Sequence, residues 1–209
     1  MDIDKALCDT YRDINVQDGW WDYAYESFTQ ELDGIGISAD GEDICFSGFY
    51  CQGDGASFEG QVVDWRKLLT AMGYGDKAAL IEYFEMADTE CHIRRRGHMY
   101  VHQNTMHLDL DNFPEFPGDK YFSLSGFELL AEGCGMNEFK RDTMYELLRP
   151  HNSDALEQEL LKFVRDKAGE LYISLREEYE YLTSDEAVWE AIVANELHLT
   201  GDTDEQQTT

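Results

Sequence analysis

The chain has 209 residues, 44 of them Asp or Glu against 16 Lys or Arg, for a formal charge of −28 with histidine neutral. Such a surplus repels phosphate backbones and anionic membrane surfaces, which argues against direct nucleic-acid or lipid binding and points to basic partners. Hydrophobic residues nevertheless make up 43% and aromatic residues 13%, which excludes the low-hydrophobicity composition that keeps a chain unfolded.

The N-terminal MDIDKALCDTYRD has no apolar signal core, and no apolar run approaches the roughly 20 residues that span a bilayer. Five cysteines, Cys8, Cys45, Cys51, Cys91 and Cys134, are odd in number and lack CxxC spacing, so they read as reduced thiols. A cytoplasmic protein is the expectation. Its length suits one α+β unit over residues 1–200, followed by a disordered acidic tail at 201–209.

In chain order, WWDYAYESFTQEL at 20–32 places Trp20, Trp21, Tyr25, Phe28 and Leu32 near helical spacing. ICFSGFYC at 44–51 and SFEGQVV beyond it are rich in strand formers, and QGDGA between them predicts a hairpin or bulged strand pair. Gly53 and Gly55 would supply the positive φ of its turn. Two short helices follow in DWRKLLTAMG, ending at Gly73, and DKAALIEYFEMA. Residues 89–111 alternate with period two and predict two more strands turning near Arg96 and Gly97, with His98, Tyr100 and His102 on one face.

NFPEFPGDKYF predicts a loop, then SLSGFELLAEGCG and MNEFKRDTMYELLRP predict helices, the second stopping at Pro150. From Ser153 to Leu182 apolar residues recur every three or four positions, the strongest helical pattern in the chain. Thr183-Ser184-Asp185-Glu186 restarts a helix with a hydroxyl cap and a glutamate three residues on, and LHLT reads as a short terminal strand. Together these predict a small antiparallel sheet of about four strands, from 44–63 and 89–111, packed on several helices including one long C-terminal helix.

Two segments carry a resemblance. ICFSGFYCQGDGASFEG at 44–60 resembles the FSGFWSQGDGASFEG signature of a family of small phage and prophage proteins, and REEYEYLTSDEAVWEAIVANELHLT at 176–200 resembles its EYEYLTSDEAVEEAIRANEYEFT segment. GHMYVHQNTM at 97–106 is a looser version of its GHYSH strand. Residues 112–150 match nothing in it and read as an insertion. Members of that family are commonly labelled antitoxin of a toxin-antitoxin stability system; the resemblance implies a phage origin and transfers no catalytic residues.

Several clusters invite chemistry. His92, His98, His102 and His107, with Cys91 and Asp109, include metal-ligand types, but residues four apart on a strand lie about 13 Å apart at about 3.3 Å per residue, too far for one ion. The QGDGASF turn lacks a Walker lysine and carries Asp54, which opposes an anion. Arg94-Arg95-Arg96 is the one basic cluster, suited to pairing with the chain's own acids or to a homodimer contact. No catalytic residue, metal or cofactor is assigned from the sequence.

The acids are the main functional signal. Asp13, Asp18, Asp22 and Glu26 recur every three to five residues, and Glu177, Glu178, Glu180, Asp185, Glu186 and Glu190 line the approach to the last helix. Carboxylates at such density can occupy a phosphate-binding groove, because duplex DNA presents about one charge per 1.7 Å. The expected partner is a basic host protein such as a nuclease, restriction complex, CRISPR effector or toxin, with Asp54 on the glycine turn as an additional contact. The alternatives are a small metal- or nucleotide-dependent enzyme centred on Asp54, His98 and His102, or a phage structural or assembly protein.

Overall fold

The computed structural model describes residues 4–97 and 101–197. It is α+β, as the sequence predicts, with eight α-helices and six strands among the described residues. No helix among them is long and apolar enough to cross a membrane. The described residues form two compact units, one within 25–172 and one from 4–24 with 173–197.

In the larger unit, α2 (Asp22–Gly34; α1 lies in the smaller unit) buries Phe28 and Leu32, and Phe28 meets Phe58 edge-on at 5.3 Å. The strands divide differently from expectation. β2 (Ile44–Phe46) and β3 (Ala56–Phe58) pair only with each other, Ile44 opposite Phe58, as a separate antiparallel ribbon. The SFEGQVV run breaks after Phe58, and β4 (Gly60–Val62) joins the main sheet instead. That sheet is completed by β1 (Ile37–Ser38), within the turn-rich IGISADGED at 35–43, and by β5 (Glu90–Arg95) and β6 (Met106–Asp111). Its order is β1-β4-β5-β6, every pairing antiparallel.

Alternation gives the sheet two unlike faces. Ile37, Val62, Cys91, Ile93 and Met106 are buried on one, while Ser38, Gln61, His92, Arg94, His107 and Asp109 occupy the other. Glycine is needed at two crossings here. A Cβ on Gly60 would come within 2.6 Å of the Ser38 carbonyl, and one on Gly36 (φ +84) within 2.3 Å of the Asp64 carbonyl. Asp64 in turn caps α3 (Trp65–Leu69), its carboxylate accepting from the Lys67 amide at 2.9 Å. A widened turn over 70–74 with Gly73 at φ +93 ends that helix where the sequence predicts.

α4 (Ala78–Met86) buries Leu80, Ile81, Tyr83 and Phe84, and Phe84 packs on Trp65 at 4.6 Å. The proline-rich stretch is irregular, yet Phe116 within it is fully buried and meets Tyr83 edge-on. α5 (Leu124–Gly133) and α6 (Glu138–Leu148), capped by Ser123 and Asn137, add Phe127, Ala131, Met144 and Leu148 to the buried set. Residues 112–150 are thus part of the core of this unit. α7 (Ser153–Leu182) has the predicted bounds, burying Leu156, Leu160, Val164, Ala168, Leu171 and Leu175 at steps of three and four.

In the smaller unit, α1 (Lys5–Thr10) and α8 (Asp185–Ala194) share a core of Leu7, Cys8, Val188 and Ile192, flanked by Tyr11, Ile14, Trp189 and Leu197. Trp20 and Trp21, predicted as helical, lie in the turn before α2, with Trp20 against Tyr179 at 5.8 Å. The cap of α8 is Ser184, whose hydroxyl accepts from the Ala187 amide at 3.2 Å. Thr183 instead donates to the Tyr179 carbonyl, so Glu186 is one position short of the reciprocal contact the sequence predicts. The expected LHLT strand and the 201–209 tail fall largely or wholly outside the described residues.

Candidate functional site

Acidic charge is denser in the smaller unit than in the larger, whose 28 acids and 13 Lys or Arg leave −15 over residues 25–172. The 46 described residues of the smaller unit, 4–24 and 173–197, hold twelve acids against Lys5, Arg12 and Arg176, a net of −9. Arg12 is committed: it pairs with Asp9, lies 2.6 Å from Asp185 and donates to the Thr183 carbonyl at 3.0 Å. Hydrogen bonds to Asp185 and Asp9 raise its already high pKa. Arg176 faces Glu180 at 3.7 Å. Asp13, Asp18, Asp22, Glu177, Glu178, Glu186 and Glu190 are exposed and form no ion pair among the described residues. Two acids of the predicted set, Glu26 and Asp54, belong to the larger unit, Glu26 on the exposed side of α2.

Asp54 sits in a structured loop. The Ser47 amide donates to the Gly55 carbonyl at 3.0 Å, the Gly55 amide returns to the Ser47 hydroxyl at 3.2 Å, and the Asp54 carboxylate accepts from the Cys51 amide at 2.6 Å. Gly53 has the positive φ (+103) predicted of the turn, but Gly55 does not. Gly55 is required by proximity instead, since a Cβ there would lie 2.9 Å from the His102 ring and 3.1 Å from its Cα.

His102 does not lie on a strand. It precedes a single helical turn at 103–105 and accepts from the Asn104 amide through Nδ1 at 3.1 Å. The equal spacing of His98, Tyr100 and His102 along one strand face therefore fails at its last member. His98 and Tyr100 lie outside the described residues.

The solvent face of the main sheet is the feature that sequence reasoning missed. Register aligns Ser38, Gln61, His92 and Asp109 in one row across all four strands, with Arg94 opposite His107 beside it. Glu59 lies 3.7 Å from Arg94 and 3.8 Å from Arg95, and Asp109 lies 3.8 Å from Arg94 and 3.6 Å from His107. These are charge contacts beyond hydrogen-bond reach. Two of the three clustered arginines thus face the chain's own acids. An open concavity of about 370 Å³ lies on this face, bordered by Asp40, Asp43, Glu59, Gln61, His92 and Arg94.

The period-two placement of His92 with Arg94 and of His107 with Asp109 is visible in the sequence. Their alignment with Gln61 and Ser38 requires the register and is not. Among the described residues, no three His, Cys, Asp or Glu side chains are placed to hold a metal ion. All five thiols are free, and burial pushes the Cys91 pKa up to about 12, with Asp109 and Glu157 adding to the effect. A thiol so held is protonated at neutral pH and is no nucleophile.

The chain belongs to the family described as Domain of unknown function (DUF8835), whose model matches residues 20–185. No curated protein and no solved structure matches it. The matched span covers the whole larger unit and all of α7, and stops at the first residue of α8. Asp22, Glu177, Glu178, Glu180 and Asp185 lie inside it; Asp13, Asp18, Glu186 and Glu190 lie outside.

Proposed function

We propose that this member of the family is a phage-encoded, non-enzymatic inhibitor, acting in the host cytoplasm, whose acidic surface occupies the phosphate-binding site of a basic host protein. Nucleases, restriction complexes, CRISPR effectors and toxins are targets of the right chemistry. One observation carries the reading: seven exposed carboxylates in the smaller unit form no ion pair among the described residues, where both arginines are engaged and Lys5 is the remaining cation. A groove that binds DNA phosphates through lysines and arginines attracts a surface of unpaired carboxylates by the same electrostatics.

The test is affinity capture of the tagged chain from host lysate at low and high salt, with retained proteins identified by mass spectrometry. One basic nucleic-acid enzyme should be retained at low salt, displaced by DNA and lost as salt rises, because exposed charge contacts are screened over about 8 Å at physiological ionic strength. With the recovered partner, Asp22→Lys and Glu178→Lys should each slow association more than they speed dissociation. Affinity unchanged from low to high salt would refute the proposal.

A further inference from the structure

The order of the main sheet leaves β6 at its edge. The phase of the β5–β6 ladder settles which of its backbone groups face outward. The Arg96 amide donates to the Thr105 carbonyl at 2.9 Å, which makes 96 and 105 a hydrogen-bonded pair. Antiparallel pairs alternate, so Arg94/His107, His92/Asp109 and Glu90/Asp111 exchange bonds, while Arg95/Met106, Ile93/Leu108 and Cys91/Leu110 do not. The amides and carbonyls of Met106, Leu108 and Leu110 therefore point away from β5.

Those of Met106 are taken. Its amide bonds the Gln103 carbonyl, and its own carbonyl accepts from Arg165 of α7 at 2.7 and 3.2 Å. The outward groups of Leu108 and Leu110 have no partner among the described residues. Beside them on the solvent face stand Asp109, with 60% of its side chain exposed, and the exposed Asp111 and Glu90.

We propose that β6 is a docking edge for an extended basic segment of a partner protein, which adds a strand through the backbone of Leu108 and Leu110. Its lysines or arginines, at alternate positions, meet Asp109 and Asp111. Strand addition draws affinity from the main-chain bonds and specificity from every second side chain. A second copy of this chain is disfavoured, since pairing two MHLDLD strands brings their aspartates together, and like charges across a ladder destabilise it. None of these residues belongs to the acidic surface of the smaller unit, so the two proposals fail separately.

The test uses the full chain and a blocked, fluorescein-labelled Lys-Val-Lys-Val-Lys-Val peptide, with binding read by anisotropy and amide exchange read residue by residue. In the free protein the Leu108 and Leu110 amides should exchange fast while those of His107 and Asp109 are protected. Saturating peptide should slow the first two at least tenfold. A peptide of the same charge, N-methylated at alternate residues so that it cannot pair, should bind at least tenfold more weakly. So should the unmodified peptide to D109K/D111K, with its fold checked by far-UV circular dichroism because the lysine at 109 stands beside Arg94 and His107. Equal binding of the N-methylated peptide, no binding of the unmodified one, indifference to the reversed charges, or protection of Leu108 and Leu110 before peptide is added would each overturn the proposal. Capture of a basic protein from lysate by a chain that fails here would refute the edge alone.

Discussion

Three glycines separate backbone strain from steric clash, and alanine at each should change stability by a different amount. Gly34 ends α2 with helical geometry and open space around a would-be Cβ. Gly34→Ala should stabilise by about 0.5–1 kcal/mol, because glycine loses more backbone freedom on folding. Gly73 has φ +93 and nothing within 4 Å, so Gly73→Ala meets only the left-handed penalty, about 1–2 kcal/mol of destabilisation. Gly36 has φ +84 and, in addition, the Asp64 carbonyl oxygen 2.3 Å from the added Cβ.

That oxygen is backbone and cannot swing aside. The Gly36 carbonyl also holds the Val63 and Asp64 amides at 2.9 and 3.1 Å, so separating the two segments weakens both bonds. Adding about 1–3 kcal/mol of overpacking to the same φ penalty puts Gly36→Ala near 2–5 kcal/mol. Urea unfolding followed by far-UV circular dichroism, with free energies compared at a shared m value, measures all three. Gly36→Ala within 0.5 kcal/mol of Gly73→Ala would mean that β1 and the start of α3 are not in the contact described, and would refute the reasoning.

Ser184→Ala should cost about 1 kcal/mol through loss of the α8 cap, and Glu186→Ala should leave the cap intact, a contrast that thermal melts resolve. Cys51 and Cys134, both exposed, should react with a thiol reagent at pH 8 in the native chain while Cys91 waits for unfolding; prompt labelling of Cys91, mapped by mass spectrometry, would contradict its burial. The folded Cys91 pKa of about 12 lies above the unfolded value of 9.0. The native state therefore keeps a proton that the unfolded chain loses, and stability falls as pH rises from about 9 to about 12, by up to about 1.4 kcal/mol per pH unit from this group. Tyr74 and Tyr83, raised to about 12 mainly by burial, act in the same direction above pH 10. Denaturation at pH 8 and pH 11 should show Cys91→Ala losing less stability between the two than the parent chain does.

Local signals were legible where one element decides its own fate. The bounds of α7 follow from Leu156 through Leu182 at helical steps, and the end of α3 follows from Gly73. What was not legible depends on partners far away in sequence. β4 leaves the ribbon because Gly60 and Gln61 pair with Ile93 and His92, some thirty residues on, and β1 is only two residues long. Both escape a reading based on period. The polar row from Ser38 to Asp109 is hidden for the same reason, since one residue of slip would send each side chain to the opposite face. The acidic surface needed no register: charges at 13, 18, 22, 177, 178, 180, 186 and 190 are exposed as their polarity demands, while Asp185 is half-buried against Arg12.

The smaller unit is assembled from two stretches separated by the whole of the larger one. Leu7 and Cys8 find Val188 and Ile192 only after residues 25–172 have been made. At elongation rates of about 5–20 residues per second, the first stretch waits about 9 to 36 seconds for its complement. During synthesis the larger unit can fold first, while α1 stays an unfinished half whose apolar side chains are open to chaperones. Asp2, Asp4, Asp9 and Asp13 set four negative charges along that waiting segment, and like charges on unfinished chains oppose their association.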